Sequence, residues 1–384
     1  MQFSFAAPNN ILFGAGSIAQ AATEAATLGT RALLVVGRNP DRAVDVQRRL
    51  ASAGMEVILF AIAGEPEIAQ VVEGAARARQ ARCDLVVGMG GGSVLDGAKA
   101  IAALATNTDP IETYLEVIGA GRALLHAPLP CIAIPTTSGT GSEVTRNAVL
   151  KSTLHKVKVS LRSPRMLPVL AAVDPELTLT LPPAVTAATG CDALTQLLEA
   201  YVSVRANPLT DGLCREGLAL AAKALPLAVD RGGDLAARTD MALASLFSGL
   251  ALANAGLGAV HGIAGPLGGM IAAPHGALCA RLLPYVVEVN LHALSRRCPN
   301  DSAIGRYAQV AQLLTGSPHA DPADGVRWLH ALVHALKIPT LGHWGLSAQD
   351  LPDLLSRAKA ASSMKGNPLV LCDEELDEIV IRAL

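Results

Sequence analysis

The chain has few aromatic side chains, little charge and no long uninterrupted apolar run, and each shortage narrows what it can be. Phe, Tyr and Trp together supply 3% of the 384 residues, so the core must be built from Ala, Leu, Val and Ile. Charged residues make up 17%, the formal net charge is −2, and no basic stripe with interleaved aromatics occurs. Nucleic acid is therefore excluded as a main partner. No stretch reaches the roughly 18 uninterrupted apolar residues of a membrane span, so no membrane partner is expected. Residues 1–6 lack the basic region and apolar core of a signal peptide. The seven cysteines (Cys83, Cys131, Cys191, Cys214, Cys279, Cys298 and Cys372) are odd in number and show no C-x-x-C spacing. Reduced thiols in a cytoplasmic protein follow from that usage.

What the chain does have is apolar side chain in quantity, 51% of residues, over a length that favours two domains. Through about residue 180, apolar runs alternate with helical patterns, as in parallel βαβ units. Strands are expected at 32–36, 55–60, 84–89 and 131–135, and helices over 41–54 and 68–81. From Pro182 onward long Ala/Leu-rich helical segments follow one another, among them 211–228, 234–253 and 322–335. The expected organisation is an α/β domain at 1–181 followed by an all-α domain at 182–384.

Two turns carry candidate ligand contacts. Gly88-Met89-Gly90-Gly91-Gly92-Ser93 runs from a strand into a helix that contains Asp96 and Lys99. Glycines let backbone N–H groups approach a diphosphate, and a helix N-terminus adds positive dipole. The segment departs from the G-x-G-x-x-G fingerprint and lacks the G-K-[ST] of a P-loop. Pro135-Thr136-Thr137-Ser138-Gly139-Thr140-Gly141-Ser142-Glu143 is a second strand-end turn whose hydroxyls suit ribose, phosphate or nicotinamide contacts. One of those hydroxyls is explained by a helix N-cap alone.

Asp192 and Gln196 lie four apart in a helical pattern and so face the same way. His261 and His275 each stand beside a glycine. A carboxylate and two imidazoles are good ligands for a borderline divalent metal, whereas the amide of Gln196 is a poor one.

Gly90-Gly91-Gly92-Ser93 with Asp96 and Lys99, the Pro135–Glu143 turn, Asp192-Ala193-Leu194-Thr195 with Glu199-Ala200-Tyr201-Val202-Ser203, and Gly256-Leu257-Gly258-Ala259-Val260-His261-Gly262 with Pro274-His275-Gly276 together resemble the iron-containing (group III) alcohol dehydrogenases. Asn10–Gly16 and Met364-Lys365-Gly366-Asn367-Pro368 agree, so the resemblance spans nearly the whole chain. It implies a dehydroquinate synthase-like architecture, with a Rossmann-like parallel-sheet domain, a helical domain, and a cleft holding NAD(P) and one divalent metal. The family's ligand positions, one Asp and three His, fall on Asp192, Gln196, His261 and His275. Asp192, His261 and His275 are thereby implied as catalytic, with Fe2+ or Zn2+ as the metal. Gly90, Gly91, Gly92, Ser93, Thr136, Thr137 and Ser142 are implied as cofactor contacts, with Asp96 and Lys99 supporting the first loop and Lys158 as a further contact. The implied reaction interconverts a small alcohol and its aldehyde or ketone. Dimers are common among relatives, which makes a homodimer the implied assembly.

Three departures qualify the match. Gln196 replaces a histidine ligand, and Gly265 stands where relatives carry a proton-relay histidine. Gly37, followed by Arg38, replaces the Asp that holds the ribose 2′-OH of NAD, so Arg38 is expected to pair with the 2′-phosphate of NADP. The first departure keeps open a metal-independent reductase of the maleylacetate type, and the first two together keep open a catalytically silent NAD-binding protein. A dehydroquinate synthase-like lyase shares the architecture, but its carboxylate- and phosphate-binding residues are not evident.

Overall fold

The computed structural model describes residues 2–384 and divides into two compact units. One comprises residues 7–137 and 141–179. The other comprises the N-terminal residues through Ala6, Ser138–Thr140 and Thr180–Leu384. The three residues Ser138–Thr140 of the second turn thus belong with the helices, apart from the turn's flanks.

The first unit is built on β1 (Asn10–Phe13), β2 (Arg31–Val36), β3 (Glu56–Ala61), β4 (Leu85–Gly90), β5 (Cys131–Pro135) and β8 (Leu170–Val173). All six are parallel, in the order β1-β8-β5-β4-β2-β3. Helices α1 (Ser17–Leu28), α2 (Val44–Ser52), α3 (Ile68–Gln80) and α4 (Gly92–Thr106) alternate with the strands. Side chains of alternate strand residues enter opposite cores, as the period of two requires. Leu34, Val36, Leu85 and Val87 pack with Ile18, Ala22 and Leu50 of α1 and α2. Leu33, Val35 and Val86 pack with Val71, Ala98 and Ile101 of α3 and α4. Both faces are covered, which is why these strands read as continuous apolar runs.

The strands and helices expected in this half are present to within a few residues. Not anticipated from sequence were β1, α1 and β8, and an antiparallel hairpin of β6 (Asn147–Ser152) and β7 (Val157–Arg162), a separate two-stranded sheet.

The second unit consists of α5 (Pro183–Val202), α6 (Pro208–Asp230), α7 (Leu235–Ala255), α8 (Ala259–Met270), α9 (His275–Arg297), α10 (Ser302–Thr315), α11 (Pro322–Ala335), α12 (Leu351–Ala360) and α13 (Asp373–Ala383), with no strand among the described residues. Helices α7 and α9 are long and apolar enough to cross a membrane by length and composition, and most of each is buried as in a core helix. Small residues let these helices approach closely where aromatics are scarce: a Cβ on Gly217 of α6 would lie 2.6 Å from Leu197 of α5. Helix α5 is the centre, buried from Gly190 to Val202 on every side. A helix buried all round is normally apolar throughout, yet α5 carries Asp192, Gln196 and Glu199 in one stripe, and those groups must find partners.

In the α/β unit, a buried cation performs the equivalent tie. Lys99 on α4 has no exposed side-chain surface. Its Nζ lies 3.0 Å from Asp96 Oδ1 and donates to the carbonyls of Ser142 (2.9 Å) and Asn147 (2.5 Å) and to Thr145 Oγ1 (3.0 Å). Nearby, Glu143 is buried, and loss of hydration pushes its carboxyl up to about 7 against the opposing pull of its own backbone N–H and of Lys99.

Two outcomes are expected. Lys99→Met leaves Asp96 and three oxygen acceptors without their cation and should lower the unfolding free energy by about 3 kcal/mol, read from urea denaturation; an unshifted midpoint would remove Lys99 from this role. The Glu143 carboxyl keeps its proton in the folded chain to about pH 7, whereas an ordinary glutamate releases it near 4.5. Its contribution is therefore fully present below that lower value and is lost as pH rises through the window, on the order of 3 kcal/mol. Glu143→Gln should flatten that part of the stability–pH curve.

Candidate functional site

At the carboxyl edge of the parallel sheet, the chain leaves β2 toward β3 on one side and leaves β4 toward β5 on the other. The two connections diverge and open a crevice beyond the ends of β2 and β4, the place where ligands bind open α/β sheets. Gly37 follows the end of β2, and Gly90 ends β4 beside it. Thr136 donates its backbone N–H to the Gly90 carbonyl at 2.9 Å, and a Cβ on Gly91 would sit 3.5 Å from Thr137. The structure therefore brings Gly37, Gly90, Gly91, Gly92, Ser93, Thr136 and Thr137 to one rim. Helix α4 starts there with no side-chain cap, and Gly91, Gly92 and Ser93 are partly exposed. Free N–H groups at an uncapped helix start, lined by glycine, fit a diphosphate. Arg38 is exposed next to Gly37 and has no ion-pair partner among the described residues.

Ser142, Asp96 and Lys99 sit behind this rim. Ser142 Oγ donates to Asp96 Oδ1 at 2.5 Å, and the other Asp96 oxygen accepts the Val149 N–H at 2.9 Å. The Lys99 ammonium is wholly enclosed by protein oxygens and meets the loop from behind. Lys158, on β7, is ion-paired with Glu65 in the segment after β3.

The second cluster lies within the helical unit. Asp192 is on α5, His261 is the third residue of α8, and His275 is the first residue of α9. Gly276 permits the approach of α9 to α5, since a Cβ there would collide with the Ala188 carbonyl and lie 3.1 Å from the Asp192 Cβ. His261 Nε2 is 3.3 Å from Asp192 Oδ1. The imidazoles of His261 and His275 have centroids 5.5 Å apart. Cys279, one turn into α9, places its Sγ 3.7 Å from Nε2 of His261 and 3.7 Å from Nε2 of His275. Donor atoms of Asp192, His261, His275 and Cys279 all fall within 4.8 Å of one another.

Glu199 orients the cluster. It lies on the same stripe of α5, two turns beyond Asp192, and accepts the Val260 N–H on Oε1 at 2.6 Å. Its Oε2 is 2.5 Å from His261 Nδ1, which donates to it. That hydrogen bond fixes the orientation of the ring and turns Nε2 toward Asp192 and Cys279. The Asn367 amide oxygen accepts the Ala259 N–H at 3.2 Å, so two otherwise unpaired N–H groups of α8 are held from outside the helix. A Cβ on Gly258 would crowd Glu199 and Asn367, at 2.9 and 3.0 Å.

The electrostatics of the cluster call for positive charge. Burial works against ionised Asp192, but the His261 hydrogen bond and the nearby imidazoles outweigh it and hold the carboxyl below its usual range. Burial likewise opposes a protonated His261, and attraction to Cys279 and Glu199 with the Asp192 hydrogen bond lifts its pKa well above the ordinary value. Acceptors that converge at these distances share a cation, and the residues present fit a divalent metal.

Gln196 is buried one turn after Asp192, and its amide oxygen accepts the Ser248 hydroxyl at 2.9 Å. Its nitrogen donates to the Thr140 carbonyl at 3.4 Å. Sequence reasoning missed Cys279 as a member of the cluster, although four-residue spacing from His275 on a helix was a readable signal. It also left the clamp by Glu199 unread.

Removal of the clamp has a definite expected cost. Glu199→Ala leaves two buried N–H groups unpaired and should destabilise the chain by about 3 kcal/mol, with Glu199→Gln milder because an acceptor for Val260 remains. Divalent-metal affinity should also fall about 10–100-fold, measured by titration with a metal-ion indicator; unchanged affinity and stability would remove Glu199 from this position.

The geometry has counterparts among known proteins. The family profile described as "Iron-containing alcohol dehydrogenase" matches residues 8–175, and "Fe-containing alcohol dehydrogenase family, C-terminal" matches residues 186–384. Alcohol dehydrogenase 4 of Saccharomyces cerevisiae (strain YJM789) is 38% identical over 340 residues, 88% of this chain and 86% of its own length. A crystal structure of 1,3-propanediol oxidoreductase superposes with a TM-score of 0.93 at 35% identity, over 100% of both chains. Sulfoacetaldehyde reductase from Bifidobacterium kashiwanohense, solved in complex with NAD+, superposes with a TM-score of 0.88 at 29% identity, over 100% of this chain and 99% of that one.

Proposed function

The chain belongs to the iron-containing alcohol dehydrogenase family, and on that premise we propose that it interconverts a small alcohol and its aldehyde or ketone, using NAD(P) and one divalent metal. The observation that carries this reading is the convergence of Asp192, His261 and His275 in a buried polar cluster that calls for a cation. When bound, NAD(P) supplies or accepts the hydride, and the metal stabilises negative charge on the substrate oxygen as a Lewis acid.

The chain's own residues hold and orient these groups. Asp192, His261 and His275 ligate the metal, and Glu199 keeps the His261 Nε2 lone pair aimed at it. Gly90, Gly91, Gly92 and Ser93 present α4's free N–H groups to the diphosphate, with Thr136 and Thr137 beside them. Asp96, Lys99 and Ser142 keep that rim in place from behind. Gly265 follows His261 by one helical turn, and a Cβ there would meet nothing within 4 Å. With no side chain to relay a proton at that position, proton exchange runs through water. Lys158 keeps a secondary place through its pairing with Glu65.

Arg38 supports acceptance of NADP. It is exposed next to Gly37, where no carboxylate stands to repel a 2′-phosphate. A homodimer in the cytoplasm is the setting we propose, consistent with seven free cysteines.

Three measurements test the reading. Activity with short primary alcohols should disappear on complete metal removal and return on adding zinc or ferrous iron. His261→Ala should lower kcat/KM by about a thousandfold, the equivalent of several kcal/mol of lost charge stabilisation. Full activity in a verified metal-free sample would overturn the metal reading in favour of the metal-independent reductase. Arg38→Ala should lower kcat/KM for NADP about tenfold and leave NAD nearly unchanged. A wild-type preference for NAD over NADP would refute the role given to Arg38.

A further inference from the structure

We propose that Cys279, rather than Gln196, is the fourth protein ligand of the metal, giving an Asp-His-His-Cys site of the kind that selects zinc over ferrous iron. The inference rests on the metal-dependent reading above and assigns its fourth donor.

Position is the first reason. Cys279 is fully buried, and its Sγ is equally far, 3.7 Å, from Nε2 of His261 and Nε2 of His275. A thiol carries one proton and can serve one of these acceptors at a time. Equal distances to both are what ligands around a common centre display. Tetrahedral zinc with bonds of about 2.3 Å to sulfur and about 2.0–2.1 Å to nitrogen and oxygen places S and N about 3.6 Å apart, and N and O about 3.3 Å apart. The observed separations are 3.7 Å for both S–N pairs and 3.3 Å between His261 Nε2 and Asp192 Oδ1. These three of the six donor pairs stand at the spacing a tetrahedral ion requires, and all four donor atoms lie within 4.8 Å of one another.

Commitment elsewhere is the second reason. The Gln196 amide oxygen, the one atom through which that residue could bind a metal, accepts the Ser248 hydroxyl, and the amide nitrogen is directed to Thr140. Ser248 Oγ also lies 2.8 Å from the Ser245 carbonyl, to which it is able to donate instead, and 3.5 Å from the Gly139 carbonyl. Gln196 thus belongs to a hydroxyl–amide network that packs α5, α7 and the Ser138–Thr140 segment. The helical spacing of the two pairs is the same: Asp192 and Gln196 on α5, His275 and Cys279 on α9, each four apart. The donor lost at one i+4 position is supplied at the other.

Chemistry is the third reason. A thiolate is a far stronger donor than a neutral amide and is soft, which suits zinc and cobalt(II). A zinc ion held by these four donors would still supply Lewis-acid stabilisation of negative charge on a substrate oxygen.

The test uses the full-length protein stripped of metal and reloaded with cobalt(II), with cobalt content measured alongside the absorption spectrum. Wild type is expected to bind one cobalt per chain and to show an intense near-ultraviolet thiolate-to-cobalt charge-transfer band. Cys279→Ser should abolish that band and weaken cobalt binding by about 100-fold or more, beyond the effect of losing an outer partner. Gln196→Ala should retain the band. Zinc-edge X-ray absorption of the zinc-loaded wild type should show one sulfur neighbour at about 2.3 Å. Stoichiometric cobalt without the charge-transfer band in wild type, or a band that survives Cys279→Ser, would overturn the assignment while leaving a metal at Asp192, His261 and His275. Failure of wild type to bind cobalt or zinc at all would overturn both this assignment and the metal-dependent reading.

Discussion

The Glu199 carboxylate is the interaction on which the cluster of Asp192, His261, His275 and Cys279 depends, because it sits on the buried helix α5 and reaches two N–H groups of α8 at once. A carboxylate buried in protein persists only when its oxygens are satisfied. Here one oxygen holds the start of α8 through Val260, and the other fixes the ring of His261. The first contact sets where α8 begins, and the second sets which nitrogen of His261 faces Asp192. Asn367 adds a second hold on the same helix start through Ala259, and Gly258 leaves both acceptors the room they need. A chain of adjacent residues, Gly258 to His261, is thereby placed by partners sixty and more positions away in sequence.

The α/β unit follows the same rule with the sign reversed. Lys99 is a buried cation that gathers Asp96, Thr145 and two backbone carbonyls, and so secures the segment from Ser142 to Asn147 against α4. The glycines at the front of α4 keep their N–H groups free, because the structure is held from behind and not by a cap. In each unit a buried charge does the positioning behind the residues proposed to meet a ligand. That division explains why Asp96, Lys99 and Glu199 belong to motifs as recognisable as those of the ligands themselves.

Much of this was legible in the residues. Apolar runs of five or six ending at a glycine- or threonine-bearing turn marked β2, β4 and β5, because a sheet covered on both faces leaves no alternation to obscure them. Helical spacing placed Asp192 and Gln196 on one face, and the glycines beside His261 and His275 signalled close packing. The β6–β7 hairpin was harder to see, since its short strands carry charged residues such as Lys151 and Arg162 on exposed positions. Cys279 was legible in principle but was counted only as a reduced thiol. Nothing in a list of seven scattered cysteines says which one faces two imidazoles.

By itself the sequence determined the class of each half, the two glycine turns, and the residue types suited to binding a nucleotide and a metal. Those follow from local periodicity and from short-range chemistry, which a linear chain displays directly. Only the tertiary structure decided which donors meet. Asp192, His261, His275 and Cys279 come from three helices, and their convergence depends on the glycine-mediated contact of α9 with α5 and on Glu199 holding α8. The pairing of Gln196 with Ser248 and of Lys99 with internal carbonyls was decided there too. A side chain's partners depend on what packs against it, and packing between distant segments leaves no mark on the spacing of the residues within one of them.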